Sequence, residues 1–187
     1  GDGIGLTADN SISNLTVIAP AGARAIYTQA GMADMGTITL ADLAVTGQVS
    51  IIIRSGTQKL NVAVDGLHIA ACDARRYSEQ PQKYGVNVYQ GALTVYNFNG
   101  DADSMIHASL KNVSTGAPHA PVLGSGIFVS GFGDVGGQVE LDILTTGAVP
   151  STGMLPYGTA DIITGAVFVV YGTHAKRVEH FGETVTY

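Results

Sequence analysis

Residues Gly85–Gly91 read GVNVYQG, a short alternation of branched apolar and variable residues held between small ones. The same stretch recurs as Ala25–Ala30 (AIYTQA), Ser50–Ser55 (SIIIRS), Gly126–Gly131 (GIFVSG) and Ala166–Gly172 (AVFVVYG). Alternation over four to six residues, bounded by Gly, Ala or Ser, predicts a strand. Five returns of one strand along 187 residues predict a repeat architecture. The centres fall near Ile26, Ile51, Val86, Ile127 and Val167, giving spacings of 25, 35, 41 and 40 residues.

Two further strand types fill the intervals. One is Asn14–Val17 (NLTV), Asp42–Val45 (DLAV), Gly66–Ile69 (GLHI), Ser109–Val113 (SLKNV) and Asp142–Thr145 (DILT). The other is Thr37–Leu40 (TITL), Leu60–Val64 (LNVAV), Leu93–Phe98 (LTVYNF) and Gln138–Leu141 (QVEL), which precedes most of the former. Residues 1–12 read as an entry segment. The expected order is therefore cyclic, with a minimal three-strand turn needing about 20–25 residues and the excess forming loops. Three long insertions, Cys72–Lys83, Thr115–Ser125 and Gly147–Thr164, all fall before a return of the first strand type, so stacking would gather them on one side.

This pattern resembles the right-handed parallel β-helix of the pectate-lyase-like superfamily. The resemblance lies in GVNVYQG followed by ALTVYNF, and in GIFVSG followed by QVELDILTTG, and it covers residues from about Ser13 to Tyr187. It implies an all-β solenoid of about five coils; the length of 187 residues predicts one domain over residues 1–187, and a secreted or cell-surface setting is expected. A two-sheet sandwich is the alternative, but sandwiches favour hairpins with two-residue turns, whereas here the strand returns after 25 to 41 residues.

Composition narrows the partners. Charged residues make up 13% of the chain and the net charge is −6, with paired basic residues only at Arg75–Arg76 and Lys176–Arg177. A phosphate-binding face needs clustered Lys and Arg, so nucleic acid is not expected. No apolar run reaches 18 residues, so no membrane-spanning helix is expected. The opening GDGIGLTADN has no basic segment leading into an apolar one, so no signal peptide is read there; a trimmed chain would read the same way. A single cysteine, Cys72, precludes an intrachain disulfide.

In a stacked coil alternate residues face inward. The inward set of the first strand type is Ile26/Thr28, Ile51/Ile53, Val86/Val88, Ile127/Val129 and Val167/Val169. The outward set is Tyr27/Gln29, Ile52/Arg54, Asn87/Tyr89, Phe128/Ser130 and Phe168/Val170. Outward aromatics interleaved with amides and hydroxyls, beside a wall of loops, are the makings of a glycan cleft, because aromatic faces stack on sugar rings and amides bind hydroxyls. The candidate ligand-binding residues are Tyr27, Gln29, Arg54, Asn87, Tyr89, Phe128 and Ser130. The competing reading is that loops cover this face and its apolar members form a satellite core.

The resemblance also implies two activities. Lyases of this architecture use a basic residue to abstract a proton, usually with Ca²⁺ held by carboxylates. That would cast Arg54 or Arg76 as the base, with Asp73 nearby. Hydrolases use clustered Asp residues, and the outward positions of the first strand hold none. Asn97–Ser104 (NFNGDADS) places oxygen-bearing side chains at alternating positions, as a Ca²⁺ loop does, without the terminal bidentate Glu. The five histidines show no zinc-site spacing, so no metal site is assigned. A repeat stack must cover its ends, and the ends here, Gly1–Ser11 and GETVTY, carry no long cap. That raises a third reading, a non-catalytic structural or surface module, which is a piece of a longer solenoid or self-associates through its ends.

Overall fold

The computed structural model describes residues 3–20, 22–29, 35–53, 59–73, 91–97, 99, 101, 103–115, 122–123, 125–130, 138–146, 160–163, 166–171, 175–180 and 183–185; beyond residue 115 the one side chain described is that of Ile127. These residues are all-β, with no helix among them, and form two mainly parallel sheets.

The chain alternates between the sheets. Sheet A takes β1 (Ile4–Leu6), β3 (Arg24–Thr28), β5 (Gln48–Ile53), β7 (Gly91–Asn97), β10 (Ser125–Ser130) and β13 (Ala166–Tyr171), stacked in that order. Sheet B takes β2 (Ser11–Ile18), β4 (Gly36–Thr46), β6 (Lys59–Asp73), β8 (Met105–Thr115), β11 (Gln138–Thr146) and β14 (Ala175–His180). Each sheet ends on one antiparallel strand, β12 (Ala160–Ile163) beside β13 and β15 (Glu183–Val185) beside β14. A short strand, β9 (Val122–Leu123), pairs with the end of β6 at Cys72 and Asp73.

The register builds the core in columns. On sheet A, Ile4, Ile26, Val49, Leu93 and Ile127 are successive partners, and Ile51 pairs with Val95. On sheet B, Ile12, Leu40, Val64 and Leu110 form one column, and Leu15, Leu43, Leu67 and Val113 another. Apart from the first-strand members Ile4, Ile12 and Leu15, all of these side chains are buried. Each full burial of such a side chain is worth about 1.5–3 kcal/mol. At the β1–β2 end, Leu15 is 42% exposed and Ile4 and Ile12 are partly open, because among the described residues no strand lies beyond them to complete the columns.

Sheet B explains why the sequence shows two strand types there. Thr37–Leu40 and Asp42–Val45 are halves of one strand, β4, and Leu60–Val64 and Gly66–Ile69 are halves of β6. The halves meet at a residue with left-handed backbone: Asn14 (φ 53°), Asp42 (50°), Gly66 (78°) and Asn112 (51°). The register brackets these four residues between paired neighbours, so they lie in one column. Burial in β4 runs Ile38, Leu40, then Leu43, Val45, so the period-two alternation slips by one at the corner. Without that slip, everything after the corner would turn its apolar side to solvent. Asn, Asp and Gly tolerate this conformation best, which accounts for the residue types found there.

Two sequence readings change. Residues 1–12 are more than an entry segment, since Ile4–Leu6 joins sheet A and Ser11 begins β2. Leu93–Phe98 was expected in the type that precedes the corner, yet Gly91–Asn97 lies in sheet A between β5 and β10. The place before the corner is held instead by the first half of β8, from Met105. GVNVYQG, apart from Gly91, lies outside the described residues. So do most of the long insertions.

Candidate functional site

The outer face of sheet A carries the residues on which the sequence places a site. The inward positions Ile26, Thr28, Ile51, Ile53 and Ile127 are buried as the alternation requires. Tyr27 and Ile52, between them, are half-buried, and Gln29 is exposed. Thr28 is polar but satisfied, since its hydroxyl donates to Ile52 O at 2.7 Å and accepts from Ile52 N at 2.8 Å.

At the β1–β3 side the guanidinium of Arg24 lies 4.3 Å from the centre of the Tyr27 ring. This stacking steadies the ring and places a cation beside it. Beneath them β1 contributes Gly5, the register partner of Tyr27. A Cβ there would come within 2.7 Å of Gln29 Nε2 and 3.3 Å of Tyr27 Oη, so the bare glycine leaves room for both side chains.

The middle of the face is different. Ser50 and Thr94 are register partners that point away from the core, yet both are buried. Gln48 is buried beside them and donates from Nε2 to Gly91 O at 3.0 Å and to Thr94 Oγ1 at 3.3 Å. The Thr94 hydroxyl also accepts from Gly91 N at 3.0 Å and donates to Gly91 O at 3.1 Å. This is a buried polar network, and it uses the Gln48 Nε2 and Thr94 hydroxyl groups that a ligand would otherwise engage.

Farther along, Ile52 pairs with Tyr96, which is half-buried, and Tyr96 with Ser130. Phe128 pairs with Thr94 and Val169, and Ser130 with Tyr171. The face therefore gains one residue absent from the sequence reading, Tyr96, by its half-exposure. The signal for Tyr96 was available in GALTVYN, which repeats the small-then-branched pattern of GVNVYQG. Phe168 was expected outward, but its register partner is the inward Ile127.

The remaining candidates divide. Arg54, Arg76, Asn87 and Tyr89 lie outside the described residues. Asp73 is the half-buried last residue of β6, where its backbone pairs with Leu123. In the Asn97–Ser104 turn, Asn97, Asn99 and Asp101 side-chain oxygens each accept the N–H two residues on, at 3.3, 3.1 and 2.9 Å. Those oxygens order the turn itself, as Asx turns do. Among the described residues, no three His, Cys, Asp or Glu side chains are grouped to hold a metal ion. Burial pushes the Cys72 thiol up to about 12, with the neighbouring Asp73 charge adding to the effect. Such a thiol is a packed side chain rather than a nucleophile.

The outer face of sheet B presents ordinary polar surface. Asp65 accepts from Asn112 Nδ2 at 2.8 Å and pairs with Lys111 Nζ at 3.2 Å, and His68 Nδ1 lies 2.8 Å from Ser114 Oγ. Among the described residues, no helix is long and apolar enough to cross a membrane. No family model matches the chain, and no curated protein or solved structure is significantly similar to it.

Proposed function

We propose that the chain is a right-handed parallel β-helix of the pectate-lyase-like kind, and that the outer face of sheet A binds a glycan. The fold reading is supported by the chain's alternation between two mainly parallel sheets from β1 to β8 and by the column of left-handed corners in sheet B. The binding reading rests on one observation: Tyr27 and Gln29, over the bare Gly5, stay partly open on a face that also carries Tyr96. Tyr27 offers a ring to a sugar face, Gln29 offers amide groups to hydroxyls, and Arg24 adds a cation to the same edge. Phe128 and Ser130, by their register positions on β10, and Arg54, Asn87 and Tyr89, by their places in the sequence repeat, complete the proposed set. The proton-abstraction chemistry of a lyase would add Arg54 or Arg76 as base and Asp73 as a carboxylate, with Ca²⁺ as cofactor.

The test is a glycan-array screen of the purified chain, with and without Ca²⁺, repeated on folded Tyr27→Ala, Tyr96→Ala and Phe128→Ala variants. Glycan binding that Tyr27→Ala weakens about tenfold or more, a loss of about 1.4 kcal/mol, is the expected result. Binding that survives all three substitutions would move the site off this face.

A second reading, a non-catalytic structural module, is favoured by the burial of Gln48, Ser50 and Thr94 on the same face. It expects no glycan binding at all, and unchanged folding of the Tyr27→Ala variant.

A further inference from the structure

We draw no further inference here: the strongest candidate, the open end of the two sheets at β1 and β2, where Ile4, Ile12 and Leu15 are left partly uncovered, carries nothing because nothing in the structure shows what covers it.

Discussion

The two sheets share one core and treat their outer faces in opposite ways. Sheet B sends small and polar residues outward, and they are open: Asn61, Ala63 and Asp65 along β6, His107 and Lys111 along β8. Sheet A sends Gln48, Ser50 and Thr94 outward, and they are buried. Alternation alone would make both faces solvent-facing. The difference marks sheet A as the sheet whose outer face is covered around Gln48, Ser50 and Thr94. Sheet B instead needs its corners, because its long strands would lose their phase without them.

The largest expected effect tests this contrast directly. Thr94→Asp should lower stability by about 3 kcal/mol or more, since a carboxylate would enter a buried site whose hydrogen bonds are already made. Asn61→Asp, on the outer face of sheet B, should stay within about 0.5 kcal/mol of the parent. Urea unfolding of both variants measures the difference. Similar small losses would mean that the two outer faces are equally wet, and the contrast would collapse.

The corners come next. Gly66→Val puts a β-branched side chain at φ 78°, with its Cβ 2.8 Å from Asp42 Oδ1. We expect a loss of about 2 kcal/mol. Asn14→Gly, in the same column at the strand that ends the stack, should cost only a few tenths of a kcal/mol or stabilise slightly. If Gly66→Val matched the parent in thermal unfolding, the left-handed column would not be what keeps the two halves of each sheet B strand in phase.

These corners also explain what the sequence made legible. Inward positions such as Ile26, Ile51 and Ile127 were readable because period-two alternation of β-branched residues has one buried solution. The cut between Thr37–Leu40 and Asp42–Val45 was readable too, because Asp42 breaks the alternation. That the two pieces form one strand was not, since a left-handed residue and a turn have the same composition. Gly91–Asn97 was misplaced for a different reason. GVNVYQG and GALTVYN are neighbouring segments of like pattern, and only the pairing of Val49 with Leu93 shows that the second lies beside β5. Tyr96 was missed with it. The candidate site was thus half legible: residue types pointed to the outer face, but which parts of that face are open depends on what lies over Ser50 and Thr94.

Smaller effects probe chemistry within sheet B. Cys72, 1% exposed near the end of β6, should react with a thiol reagent at neutral pH only as fast as the chain opens. Because its thiol is held neutral up to about 12, folding is favoured fully below the ordinary thiol range. That contribution is lost as pH rises from there toward 12. Immediate labelling of the folded chain at neutral pH would place Cys72 outside the core.

The smallest effect is at Asp65, on the open face. The Asn112 amide and then the Lys111 ammonium hold its carboxyl below the usual aspartate range. A carboxyl lowered in the folded state contributes stability above its unfolded value and loses it as pH falls through the folded one. The loss therefore falls on the acid side of the ordinary aspartate range, while at neutral pH the contribution is fully present and does not change with pH. Carboxyl NMR titration should find Asp65 ionising at lower pH than an unstructured aspartate, and Asn112→Ala should move it back up more than Lys111→Ala does. The order matters, because the Asn112 bond is the shorter and belongs to the corner column, whereas Lys111 reaches across on a flexible, solvated chain. If Lys111→Ala had the larger effect, Asp65 would be reporting the general charge of an exposed face and not the geometry of the corner beside it.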